Sequence, residues 1–497
     1  MREIRESGAQ NEMNPARGMK CFRHREEDKT MAKKTTKDLA KELTWKYPHI
    51  AQEKDGAAQI KKADKFCEDY KKFLNCSKTE RECVNSAEVI LVNAGYERFD
   101  VKKKYKAGDK VYEINRGKSI LATTWGTAPL EEGVRINGAH IDSPRLDLKP
   151  NPMIERGELA QYKTHYYGGI RKYQWVAIPL AMHGTVVRKD GTVATICIGE
   201  DEKDPIFYIS DLLPHLSKEQ NERKLNEGIK GEELNIIIGS LPIEDSEDVK
   251  DAIKLNALKL INEKYGITER DYARAEIEFV PAYKAKDVGF DRSLIASYGH
   301  DDRVCAYPAL MAELATKKPK YTTVTILTDK EEIGSVGNTG MDSNYFYDYL
   351  YFLAQNKKAD VKTVCANSAC LSADVNAAYD PTFSNVFEEQ NASWLNHGVV
   401  LTKYTGARGK SGANDASAEF MAKVIDIMDK EKVYWQIGEL GKVDEGGGGT
   451  IALYVAGLNI DVVDLGVPVM SMHAPYEVVS KLDVYNTYLA FKAFYNA

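Results

Sequence analysis

The sequence predicts an α/β protein whose covered sheet is interrupted by a β-rich insertion, and three observations carry that expectation. After Gly289, strand-like and helix-like segments alternate to the end of the chain, the pattern of a sheet with helices on both faces. Between Pro150 and about Val280 the texture changes to short, turn-punctuated β segments. The residues richest in chemistry fall just past predicted strands on both sides of that insertion, where sheets of this class hold their ligands.

Taken in order, residues 1–34 are polar and heavily charged and lack the apolar stretch of a signal peptide. They read as a flexible extension of a protein expected in the cytoplasm, and Met31 opens a second plausible start. Residues 37–101 read as charged helices with apolar positions Leu39, Leu43, Phe66, Tyr70 and Phe73 spaced by threes and fours. Strands are predicted at 110–114, 119–124 and 134–140, separated by glycine-containing turns. The insertion holds β segments at 175–187 and 191–198, then a charged helical or loop stretch at 217–233. Beyond it come strands at 321–327, 361–366, 399–402 and 458–465, and helices at 304–314, 416–428 and 482–495. The predicted boundaries are an extension (1–34), a first part of the main domain (35–152), the insertion (153–282) and a second part (283–497).

Composition narrows the function. The 497 residues carry 68 Lys and Arg against 74 Asp and Glu, a net charge of −6 that disfavours nucleic acid or an anionic membrane as partner. No run approaches the length of a spanning helix. The 8 cysteines form no Cys-x-x-Cys pair and read as reduced thiols.

Five segments place histidine or carboxylate just past a strand among small residues: Gly138-Ala139-His140-Ile141-Asp142, Gly299-His300-Asp301-Asp302, Asp329-Lys330-Glu331-Glu332, Ser372-Ala373-Asp374, and Ser471-Met472-His473-Ala474-Pro475. Any one alone is an ordinary structural pairing. Together they supply the mixed nitrogen and oxygen donors that suit zinc, cobalt or manganese. A carboxylate shared between two ions offsets their mutual repulsion, which accounts for the excess of acids over histidines. Glu331 and Glu332 are adjacent, and neighbouring side chains on extended backbone diverge, so one can bind metal while the other acts as a base.

In this order the five segments resemble the aspartyl aminopeptidase and vacuolar aminopeptidase I family of co-catalytic metallopeptidases, over residues 37–497. Residues 139–150 and Tyr167-Gly168-Gly169 add to the likeness. The resemblance implies a mixed-sheet phosphorylase/hydrolase-like catalytic domain carrying an inserted β-rich dimerisation domain. It implies two divalent ions per subunit, zinc foremost with cobalt or manganese also fitting. His140 and Asp374 would be terminal ligands of one ion and Glu332 and His473 of the other, with Asp301 bridging. Glu331 would be the general base for a metal-bridging hydroxide, and Asp142 would orient the His140 imidazole. Peptides with a free N-terminus would be the substrates, and the assembly a tetrahedral dodecamer built from dimers.

The same resemblance matches Lys403 to a lysine associated with acidic substrate side chains. It makes Gly448 and Gly449, in the run 444–450, a loop whose bare backbone approaches substrate. Where eukaryotic aspartyl enzymes carry His-Thr-Trp-Phe-Asp-Arg-Asp, this chain runs Ile170-Arg171-Lys172-Tyr173-Gln174-Trp175; Tyr173 occupies the histidine's place, and His215 lies further on. Ala377 and Asp380 also stand where eukaryotic members have histidine, so an acidic or a neutral N-terminal residue both remain open as substrate. Three rival readings compete with this one. Gly406 to Ser411 sits between strand and helix like a phosphate loop, but Tyr404 occupies the motif's first glycine. A silent binding protein would lack a ligand or the base, and every position is filled. A hydrolase of acylated amino acids or a carboxypeptidase would differ in not requiring a free α-amine.

Overall fold

The computed structural model describes residues 35–497, so the expected extension lies outside the described residues. The chain divides after Lys46 into two units. In the first, Thr36–Leu43 is a helix closed by a capping box: Thr35 accepts the Asp38 amide and Asp38 accepts that of Thr35. It buries none of its residues, Leu39 and Leu43 included.

The second unit opens with helices Gly56–Cys76 and Glu80–Asn93, whose buried positions recur at helical spacing: Cys67, Tyr70, Phe73 and Leu74 on one, Cys83, Val84, Ala87 and Leu91 on the other. Strands β1 (Glu97–Arg98), β2 (Lys110–Asn115), β3 (Ser119–Thr124) and β4 (Val134–His140) follow. The next six are β5 (Arg145–Arg156), β6 (Leu159–Tyr167), β7 (Leu180–Val187), β8 (Val193–Ile198), β9 (Asn235–Gly239) and β10 (Ala275–Pro281). The remainder are β11 (Lys286–Val288), β12 (Leu294–Ser297), β13 (Thr322–Thr328), β14 (Ala369–Ala373), β15 (Asn376–Ala377), β16 (Val399–Thr402), β17 (Trp435–Ile437), β18 (Asp461–Gly466), β19 (Pro468–Met470) and β20 (Glu477–Ser480).

Nine strands form a mixed sheet in the order β1-β2-β3-β13-β4-β14-β18-β16-β17. Its centre, β13-β4-β14-β18, is parallel throughout. Every residue of β4, β13 and β14 is buried, as in a sheet covered on both sides. One face packs on Val304, Leu310, Phe420, Val424, Phe491 and Phe494, the other on Phe346, Leu350, Leu353, Val364 and Val455. Each such side chain contributes about 1.5–3 kcal/mol by leaving water.

The six strands β5 to β10 make an antiparallel sheet, β8-β7-β10-β5-β6-β9, drawn wholly from residues 145–281. One face carries the apolar residues Leu180, Met182, Val186, Ile196 and Phe279. The other is polar and meets the first turn of the Glu80–Asn93 helix, where Arg145 lies 3.3 Å from Glu80 and 3.4 Å from Glu278. A third sheet has the order β11-β12-β20-β19-β15.

One expected strand is a helix. Residues 361–366 fold as helix Val361–Ala366 because Asp360 caps it, accepting the Thr363 amide, and Val361, Val364 and Cys365, spaced by three and four, are buried together. The strand follows it, as β14. Other boundaries contract: 175–187 becomes β7 from Leu180, after a turn at Lys172–Gln174, and 458–465 becomes β18 from Asp461. Among the described residues no helix is long and apolar enough to cross a membrane.

Candidate metal centre

The carboxyl ends of the parallel strands set the site. Thr328 of β13 is level with His140 of β4, so His140 and the turn Glu331–Ile333 emerge side by side. Asp374 follows β14, and His473 follows β19. Asp301 comes from the opening turn of the His300–Ala315 helix and is joined to Asp302 by a cis peptide. That helix is capped by Gly299 at φ +73°, where a Cβ would stand 1.7 Å from Arg303 Nη1. Only glycine serves there.

Asp301 lies between the two imidazoles. Its Oδ1 is 3.1 Å from His140 Nε2, and its Oδ2 is 3.1 Å from His473 Nε2. Asp374 Oδ1 approaches His140 Nε2 at 3.7 Å, and Glu332 Oε1 approaches His473 Nε2 at 3.5 Å. The donor atoms of His140, Asp301 and Asp374 fall within 4.8 Å of one another, as do those of Asp301, Glu332 and His473. Donors about 2 Å from a tetrahedral centre stand about 3.3 Å apart, so both triads have the spacing a zinc-sized ion needs. Asp301 Oδ1 and Glu332 Oε1 are buried and accept no hydrogen bond, a costly state for a carboxylate unless a cation faces it. The residues present therefore fit two divalent ions.

Each imidazole is oriented from behind. His140 Nδ1 donates to the main-chain carbonyl of Asp142 at 3.0 Å, and His473 Nδ1 to that of Gly169 at 2.8 Å. A carbonyl can only accept, so Nδ1 carries a proton in both rings and Nε2 is the nitrogen left to face the centre. The Asp142 carboxylate, expected to orient His140, stands further from that ring at 3.5 Å. It also accepts the amides of Glu331 at 3.1 Å and Glu332 at 3.2 Å, and the Tyr167 hydroxyl at 2.8 Å. Asp142 thus holds the turn that aims both glutamates. Burial, with the Asp374 charge next in size, pushes the Glu331 carboxyl up to about 8. Burial works against a charge on His473, but its hydrogen bond to Asp301 and the charges of Asp301 and Glu332 outweigh this and lift it to about 11. Burial likewise opposes ionisation of Asp301, and the two histidines nonetheless hold it well below the usual carboxylate range.

These groups face a cavity of about 370 Å³. Glu331, Glu332, Asp301, Asp374 and His473 line it, with Gly448 and Gly449 on the wall. His140 is recessed, 1% exposed. Lys403 does not line the cavity; it is paired with Asp415, which also holds Lys410. Lys410, the lysine of the phosphate-loop reading, lies over the Tyr404 ring, and the next helix begins only at Ala418. Tyr173 and His215 are exposed in the segment between β6 and β9. Ala377 lies in β15, and Asp380 caps a turn by accepting the Thr382 amide.

Sequence reasoning missed two participants. Glu477, buried at the start of β20, accepts the amides of His473 at 2.7 Å and Asp301 at 3.1 Å, so it ties together the backbones of two candidate ligands. Asp464, on the cavity wall, accepts the Thr450 hydroxyl at 2.6 Å and leaves Oδ2 without a partner. Burial raises its carboxyl to about 7. The only signal was position: Glu477 lies four residues past a candidate ligand, and Asp464 near the end of a strand.

Comparison with known proteins gives the family. The model of the aminopeptidase I zinc metalloprotease (M18) family matches residues 73–495. A curated relative from Clostridium acetobutylicum, "Probable M18 family aminopeptidase 1", is 49% identical over 454 residues, covering 88% of this chain and 96% of its own. The crystal structure of an M18 aminopeptidase from Thermotoga maritima superposes with a TM-score of 0.86 at 43% identity, covering 91% of this chain and all of that one. The S. cerevisiae mApe1 dodecamer shares the fold at a TM-score of 0.70 and 21% identity, over 88% of this chain and 97% of that one. Matched by that family's model over residues 73–495 and by relatives and solved structures over most of its length, the chain belongs to the M18 family of zinc aminopeptidases.

Proposed function

We propose that the chain removes the N-terminal residue of peptides through two divalent ions, zinc foremost, one held by His140, Asp301 and Asp374 and the other by Asp301, Glu332 and His473. The observation that carries this reading is Asp301, which turns one oxygen toward each of two histidines. When bound, such a pair of ions polarises a carbonyl and lowers the pKa of water.

The chain's own residues do the rest. Glu331 belongs to neither triad, lines the cavity and lies 3.9 Å from His140 Nε2. Its raised carboxyl suits a group that takes a proton near neutral pH and returns it to the leaving amine. Asp142 holds Glu331 by its amide. Gly448 and Gly449 offer main-chain groups to an extended peptide. Among the described residues no lysine or arginine lines the cavity, whereas Val375, Leu440 and Met472 do, which favours a neutral N-terminal residue over an acidic one and leaves Lys403 outside the reading. Residues 153–282 are proposed as an inserted dimerisation domain within a homo-oligomer, and the S. cerevisiae dodecamer supports twelve subunits.

The test is a panel of aminoacyl amides, with free and blocked amines, assayed on protein reconstituted with zinc, cobalt or manganese. Glu331→Gln is expected to lower kcat by about 10²–10⁴ while keeping its metal, and Asp301→Ala to lose metal. Full activity in the first, unchanged metal content in the second, or equal cleavage of blocked substrates would overturn the reading.

A further inference from the structure

A second cluster of metal-binding side chains lies outside the cavity. On the polar face of the six-stranded sheet, His183 of β7 and Cys197 of β8 are directly paired across the strands, so their side chains leave the same face. The first turn of the Glu80–Asn93 helix brings Glu82 to them, with Oε1 at 2.7 Å from His183 Nδ1. One donor atom from each of Glu82, His183 and Cys197 lies within 4.8 Å of the other two.

Each donor is held in place by other contacts. Glu82 Oε2 accepts the amides of Lys78 at 2.9 Å and Thr79 at 3.2 Å, which leaves Oε1 to the cluster. His183 Nε2 meets Glu200 Oε1 at 3.2 Å. An imidazole that ligates through one nitrogen and gives its other N–H to a carboxylate is the usual arrangement of a metal-binding histidine. Glu200 is itself neutralised, by Lys78 at 2.6 Å and by Lys284, so it competes little for the ion. Cys197 is exposed on the edge strand, and solvent and ions reach the cluster from that side.

We propose that Glu82, His183 and Cys197 bind one divalent ion of the zinc class, with water completing the coordination. Carboxylate, imidazole and thiolate are the three donors zinc takes, and one carboxylate and one thiolate balance its two charges. Binding releases the thiol proton, and the second imidazole proton where present, to solvent, so affinity rises with pH. Because Glu82 sits on a helix ahead of β4 and the other two ligands on the six-stranded sheet, the ion clamps one to the other.

The test titrates the full chain, stripped by chelator, with cobalt. The candidate ligands in the cavity are nitrogen and oxygen only, so a thiolate-to-cobalt charge-transfer band in the near ultraviolet reports on the sulfur site alone. The wild type is expected to show the band and Cys197→Ser, a small change at an exposed position, to abolish it and lower bound metal by one ion per chain, with hydrolysis at wild-type level. Cys76→Ser, at the other exposed thiol among the described residues, is expected to keep the band, and His183→Gln to weaken cobalt affinity at least tenfold. No charge-transfer band at saturating cobalt, or a band that survives Cys197→Ser, would overturn the proposal.

Discussion

Asp142→Asn isolates what the buried carboxylate does. In the parent, Oδ1 and Oδ2 accept the amides of Glu331 and Glu332 and the Tyr167 hydroxyl. Asparagine offers one accepting oxygen, and its NH₂ faces an amide that also donates, so one main-chain N–H is stranded. A hydrogen bond to a charged group is worth about 1.5–3 kcal/mol, and that is the expected loss of stability. The greater effect falls on the turn carrying Glu331. A displacement near 1 Å costs about 10²-fold in rate, and an outer carboxylate typically accounts for about 10–100-fold, so kcat/KM is expected to drop in that range with metal content retained. His140 keeps its main-chain partner in the variant, because that bond uses the Asp142 carbonyl. Tyr167→Phe removes one neutral donor and is expected to cost less than about tenfold. The assay pairs hydrolysis of an aminoacyl amide with metal analysis on the same sample. Parent-level activity in Asp142→Asn, or a loss explained wholly by lost metal, would refute the positioning role.

Two further outcomes follow from the structure. Gly299→Ala forces a Cβ to 1.7 Å from a guanidinium nitrogen of fully packed Arg303, at φ +73°; strain and overpacking together are expected to cost about 2–6 kcal/mol and to displace Asp301, read as a fall in both Tm and bound metal, and an unchanged Tm would refute the clash. Burial lifts the Asp483 carboxyl to about 8, against the Asn396 and Gly398 amides that lower it. A carboxyl whose pKa is raised by folding contributes stability that is full below its unfolded value of 3.8 and declines as pH rises through about 8. Asp483→Asn is therefore expected to flatten the decline of Tm between about pH 4 and pH 8, and parallel Tm curves would refute it.

The candidate ligands were legible because the chemistry of strand ends is local. His140, Asp301, Glu332, Asp374 and His473 each sit among small residues where a strand stops or a helix opens, and parallel pairing then brings those ends to one level. What escaped is long-range. Nothing near Glu477 announces that it will accept the amide of Asp301, 176 residues away, and nothing near Asp142 points to Glu331, 189 residues on. Lys403 failed for a different reason: a strand-end lysine looks free until the turn returns Asp415 to it. In 361–366, valine and threonine favoured a strand, and a single capping aspartate decided for a helix.

The end of β6 has a consequence for maturation. The carbonyl that sets the His473 tautomer belongs to Gly169, two residues past the last strand residue Tyr167, and a Cβ at Gly168 would come within 3.2 Å of Glu332. A strand of the six-stranded sheet therefore finishes a site that the nine-stranded sheet begins. On the proposed reading, a chain whose large sheet had formed without the smaller one docked would hold the donors with one imidazole unaligned and would bind the second ion poorly. On that reading hydrolysis would wait until both sheets are in place, which ties the chemistry to completion of the fold.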